Sequence, residues 1–206
     1  MMNLEKVVSK IEEELDEKDQ IREVALKSSR AIVRLSGSIM KSIHRDEDTK
    51  EPLEELRDEV SRLNSLLVDH PDLASAGFVD DSLQEYAEVV IVLSILERDD
   101  VPTPEDIDVG SVSYLMGLGD VVGELRRFCL EELKRGNVVR ANYFLDRMED
   151  IYTALMRFDY PEAIAAVRRK QDIARSLLEK TRGEVAVAAS AMSLQEKLEE
   201  AMKRFQ

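Results

Sequence analysis

Apolar residues in this chain recur every three or four positions and never, over a useful length, every two. Ile21, Val24, Ala25, Ile32, Leu35, Ile39 and Ile43, with the small Ser28 in the same series, form one stripe on a helix that begins near Leu4. No segment alternates as a half-buried strand would, so no strand is expected. Asp46 to Pro52 breaks the first helix, and Pro52 suits the first turn of a second that ends before His70-Pro71. Asp72 to Val79 reads as a loop, with Asp80, Asp81 or Ser82 as the cap of an apolar third helix. Val101-Pro102-Thr103-Pro104 stops that helix, and a fourth runs from about Gly110 to Arg135, ended by Gly136-Asn137. A fifth covers Val139 to Phe158 and a sixth Pro161 to Arg182; Gly183 then separates a last helix that reaches the C-terminus. Only 8 Gly and 5 Pro interrupt the chain, aromatics are 5% and Trp is absent, which also favours helices. The expected fold is all-α: one domain over residues 1–206, a bundle of about seven helices.

The same residues narrow the function classes. Cys129 is the sole cysteine and lies in an apolar run, so it reads as a buried small hydrophobe in a reducing compartment. No apolar run approaches the ~20 residues of a membrane span, and no leader opens the chain, so a soluble, cytoplasmic protein without membrane partners is expected. A net charge of −14 argues against a nonspecific nucleic-acid coat. It leaves room for a nucleic-acid enzyme whose bases are confined to one surface. Two histidines and one cysteine support no nucleophilic triad. Neither His44 nor His70 follows a Glu by three, as a ferritin-like di-iron bundle requires.

Two apolar stretches carry carboxylates in isolation. From Leu83 to Leu96 the only charges are Glu85 and Glu88; from Tyr114 to Leu125 they are Asp120 and Glu124. Spacings of three and four put each pair on one helix face. Glu51 and Glu54 show the same spacing, but with polar neighbours they read as a solvated face. A lone buried carboxylate is costly, so such acids pair, change protonation or hold a metal. Four oxygen ligands suit Mg2+ or Mn2+. Gly117, Gly119 and Gly123 imply close approach by another backbone or a ligand, with plain helix packing as the simpler account. On the first helix, Lys27, Arg30, Arg34, Lys41 and Arg45 line one stripe, suited to phosphate or to a salt-bridged outer face.

At these residues the chain resembles the translin/Trax family, on its Trax side. Leu83-Gln84-Glu85-Tyr86-x-Glu88 is similar to the Trax motif Leu-Gln-Glu-Tyr-x-Glu. Tyr114-Leu115-x-Gly117-x-x-Asp120-x-x-Gly123-Glu124-Leu125-x-Arg127-x-Cys129 resembles the second Trax segment. Ser29-Arg30 and His44-Arg45 on the first helix, and Arg182-Gly183 near the end, are weaker matches in the same order.

The resemblance implies a translin-like subunit of a hollow homo-octameric shell, or one that joins a translin-like partner. It also implies an Mg2+-dependent endoribonuclease acting on single-stranded RNA; whether DNA is cut too is left open by the residues. Glu85, Glu88, Asp120 and Glu124 match the metal-binding and catalytic acids. Arg30, Arg34, Lys41, Arg45 and Arg127 are the candidate RNA contacts. Where Trax has Ser-Lys-Arg, this chain has Ser36-Gly37-Ser38, which removes two bases from the nucleic-acid face; Arg34 and Lys41 are candidate replacements. Two rival classes remain at the level of sequence. One is an all-α nucleoside-triphosphate pyrophosphohydrolase, whose usual Glu-x-x-Asp is here Asp120-x-x-x-Glu124. The other is a non-catalytic translin-like shell that binds single-stranded nucleic acid.

Overall fold

The computed structural model describes residues 3–204, without the side chains of Glu196 and Arg204. Helices account for its architecture, and there is no strand among the described residues. In chain order they are α1 (Leu4–His44), α2 (Lys50–Leu67), the single-turn α3 (Pro71–Ala74), α4 (Gly77–Arg98), α5 (Ser111–Lys134), α6 (Val138–Leu155) and α7 (Val167–Arg204). A 3-10 turn at Glu105–Ile107 lies between α4 and α5. The chain divides into two compact units. One holds the residues up to Val89 with Thr103–Ser113, and the other holds Val90–Pro102 with the residues from Tyr114 onward.

In the first unit α1 packs on α2. Ala25, Ser29, Ile32, Ser36 and Ile39 recur at steps of four and three and are buried. They meet a matching series on α2, the buried Leu56, Val60, Leu63 and Leu67. Ser28 donates to Glu59 at 2.5 Å and ties the rim of this contact. Asp108 takes the left-handed conformation, φ 53°, after the 3-10 turn. Its carbonyl and carboxylate both accept from the Asn64 amide, at 2.9 and 3.0 Å, which fastens the turn to α2.

In the second unit α6 packs on α7. Phe144, Met148, Ile151 and Leu155 are buried on α6, as are Ala174, Leu178 and Val185 on α7. Gly136, at φ 78°, ends α5, and the Asn137 side chain caps α6 by accepting from the Arg140 amide. Gln171 donates to the carbonyls of Leu155 and Phe158, both at 2.8 Å, and so closes the C-terminal end of α6.

Several boundaries differ from those expected. Helix α7 starts at Val167, because Ile164 and Ala165 close a single turn on the Pro161 carbonyl that does not continue. It then runs without interruption through Gly183, whose helical cost of about 1 kcal/mol is too small to end so long a helix. Its expected last residues, Phe205 and Gln206, lie outside the described part. Helix α4 begins at Gly77, one turn before the expected caps. Ser82 is buried and donates to the Val79 carbonyl, and Asp80 accepts from Ser113 at 2.9 Å. No helix among the described residues is long and apolar enough to cross a membrane.

Candidate cation and nucleic-acid site

The acids of α4 sit at the edge of a dry surface. Tyr86 and Ala87 are buried, at 3% and 0% exposure, while Glu85 and Glu88 on either side of them are half-buried. Arg57 of α2 hydrogen-bonds the Tyr86 phenol; burial pushes that phenol above its ordinary value and the Arg57 charge opposes the rise. The apolar residues of α4 therefore fix the helix, and its two carboxylates keep partial access to water.

The acids of α5 are also half-buried, and each has a cation beside it. Lys170 of α7 places its ammonium 2.5 Å from Asp120, with 30% of the Asp120 side chain exposed. Arg127 lies 4.0 Å from Glu124 and 3.7 Å from Glu131. The expectation of isolated, fully buried acids is thus corrected for both pairs. The apolar runs supply the core through other positions, and for Asp120 the neighbouring charge comes from a helix fifty residues away. Lys170 escaped the sequence reading because it stands in an Arg-Arg-Lys run that resembles a solvated face. The available signal was its place three after the buried Val167 and four before the buried Ala174, on the rim of the packed stripe of α7.

Gly119 and Gly123 of α5 differ in what surrounds them. A Cβ on Gly119 would stand 2.8 Å from the Lys170 Cβ, whereas one on Gly123 would only touch Leu177, at 4.0 Å. At Gly119 the close approach is therefore that of the α7 lysine stem, which is the packing account.

Arg30, Arg34 and Lys41 are exposed on α1, as is Lys27, and the exposed Arg45 follows at its C-terminal end. At 100° per residue they fall opposite the buried series from Ala25 to Ile39, so the face they form is turned away from α2. Arg45 lies 3.9 Å from Glu47. Arg127, also exposed, borders a shallow cavity of about 320 Å³ on α5, together with Arg126, Leu130, Glu131 and Lys134. Arg126 is held firmly: its guanidinium donates to both Glu184 oxygens, at 2.8 and 3.0 Å, and to Thr181. It is committed to packing, whereas the contacts of Arg127 with Glu124 and Glu131 are longer.

Among the described residues no three His, Cys, Asp or Glu side chains gather as a ready ligand set for a metal ion. The chemistry of the donors nonetheless fits a hard cation. All four candidate ligands are carboxylates, and Asp120 already holds a cationic group.

Comparison with known proteins agrees with the fold. The Translin family model matches residues 16–183. An uncharacterized protein of Methanocaldococcus jannaschii is 36% identical over 188 residues, which cover 89% of this chain and 83% of that protein. The crystal structure of apo-NeC3PO is similar with a TM-score of 0.78 at 25% identity, over 91% of this chain and 98% of that one. AfC3PO gives 0.75 at 28% identity, and its complex with duplex RNA gives 0.73 at 27%; both cover 89% of this chain and 97% of the other. With most of its length matched by the family and by a relative of nearly the same extent, this chain belongs to the Translin family.

Proposed function

We propose that this chain is the catalytic, Trax-like type of subunit: an Mg2+-dependent endoribonuclease for single-stranded RNA, able to cut DNA as well. The observation that carries this is the Asp120–Glu124 pair, two half-buried carboxylates one turn apart, the first already engaged with a cation. A pure binding surface for phosphate gains nothing from carboxylates, which repel it. AfC3PO, a similar protein, has been solved with duplex RNA, which supports a nucleic-acid partner here.

Glu85 with Glu88 on α4, and Asp120 with Glu124 on α5, are the carboxylate pairs that would hold Mg2+ or Mn2+. When bound, such an ion supplies charge neutralisation at the phosphate and activation of water. The protein's own part is to aim these oxygens from the packed helices α4 and α5, and to offer bases to the nucleic-acid backbone. Arg127 stands one turn from Glu124, and Arg30, Arg34, Lys41 and Arg45 form the outer stripe of α1. Water, and not the ribose 2′-hydroxyl, is the proposed nucleophile.

The test is cleavage of labelled single-stranded RNA, duplex RNA, DNA and free nucleoside triphosphates, each with Mg2+ and with EDTA. Expected are Mg2+-dependent cuts in single-stranded RNA that persist when the ribose at the cut site is replaced by deoxyribose. Glu88→Gln and Asp120→Asn are expected to lower turnover at least ~10³-fold while circular dichroism stays helical. Hydrolysis of triphosphates alone would favour the pyrophosphohydrolase class. Tight RNA binding with no cleavage would favour a non-catalytic shell.

A further inference from the structure

Lys170 reaches Asp120 over a residue that has no side chain to obstruct it. A Cβ on Gly119 would meet the Lys170 Cβ at 2.8 Å, its Cγ at 3.0 Å and its Cδ at 3.2 Å. The lysine stem therefore lies along the glycine, and its ammonium ends 2.5 Å from Asp120 Oδ1 with only 19% of the side chain exposed. Ordinary ion pairs on a surface contribute little, and no helix needs a glycine to make one. Here an interior glycine, which a helix disfavours relative to alanine, leaves room for one lysine to pass. What the arrangement secures is the position of a single carboxylate.

We propose that Lys170 is a positioning residue: its ammonium is the resident counter-charge of Asp120, which keeps that carboxylate aimed and competes with a divalent cation for its oxygen. The inference rests on Asp120 being a cation ligand. With the lysine in place the carboxylate stays aimed in the absence of metal. When a divalent ion takes the oxygen, the ammonium must leave it. Its three N–H donors on a flexible stem then remain beside the site, suited to a phosphate oxygen. Two cations a few ångströms apart on a half-buried surface repel each other enough to weaken binding by about tenfold. Lys170 thereby raises the metal concentration at which the site fills.

The experiment is titration of the full chain with Mn2+, following free Mn2+ by electron paramagnetic resonance, with no substrate present. Lys170→Met is expected to bind Mn2+ about tenfold more tightly than the wild type. Lys170→Arg, which keeps the charge, should stay near the wild type, and Asp120→Asn should bind at least tenfold more weakly. Lys170→Gln serves the same purpose if the methionine variant does not fold. Unchanged or weaker Mn2+ binding in the neutral variants, with Asp120→Asn still weakened, overturns the role of Lys170 alone. Wild-type affinity in Asp120→Asn overturns Asp120 as a ligand, and the inference falls with it.

Discussion

Gly119 and Cys129 show how tightly α5 is specified at single positions. Gly119→Ala would force its Cβ against the Lys170 Cβ, close to the backbone and unable to swing away. Overpacking of this kind costs about 1–3 kcal/mol, so a lower urea midpoint is expected, with Lys170 displaced from Asp120. Asp120→Asn also destabilises in EDTA, by about 1–2 kcal/mol, because it leaves a largely buried ammonium with a weaker partner. Repulsion among four isolated acids would have given the opposite sign, so thermal melts of this variant distinguish the two arrangements. Cys129 is 0% exposed, and burial pushes its thiol from an ordinary 9.0 up to about 11. The folded state therefore binds the proton more tightly than the unfolded chain does. Its contribution is complete below pH 9 and is lost as pH rises from about 9 to about 11, a fall of up to about 2–3 kcal/mol. Urea midpoints across that window should decline, and Cys129→Ala should flatten the decline.

Among the helices, glycine has opposite meanings at different places. Gly37 in α1 and Gly183 in α7 are helical and have nothing within 4 Å of an added Cβ. Gly37→Ala and Gly183→Ala are each expected to stabilise by about 0.5–1 kcal/mol, readable as a rise in melting temperature. The same contrast explains what was legible in the sequence. The buried face of α1 was readable because Ile32 and Ile39 recur at helical pitch and nothing else competes for that face. The end of α7 was misread because Gly183 looks like a terminator, yet one weak residue cannot outweigh the helical residues on both sides. Local sequence also placed the start of α4 too late, since Asp80 and Ser82 resemble caps while the structure uses them for contacts with Ser113 and Val79. At the candidate site, spacing revealed the pairs Glu85/Glu88 and Asp120/Glu124 but not their surroundings. The ammonium beside Asp120 comes from a helix remote in sequence, and no periodicity within α5 encodes it.

For the whole molecule, the telling residues are those its own core leaves uncovered. Leu4, Val8, Ile11 and Leu15 continue a three-and-four series along the first turns of α1, with exposures from 43% to 60%. Val187, Leu194, Leu198 and Met202, at steps of seven and four, line one face at the far end of α7, at 56% to 71%. Single exposed apolar residues are ordinary on any protein, but two helical stripes of them are not. Both lie beyond the parts of their helices that are buried on α2 and α6, so neither is needed to complete the core of its unit. Copies of the chain are expected to cover them in a closed assembly. Sedimentation of the full chain at micromolar concentration should then show a species several times the 23.4 kDa chain mass. Leu194→Glu with Leu198→Glu should shift it toward the single chain without loss of helical circular dichroism, because these side chains are already in water within one subunit. A wild-type protein that sediments only as a 23.4 kDa monomer would show that the stripes are not subunit contacts.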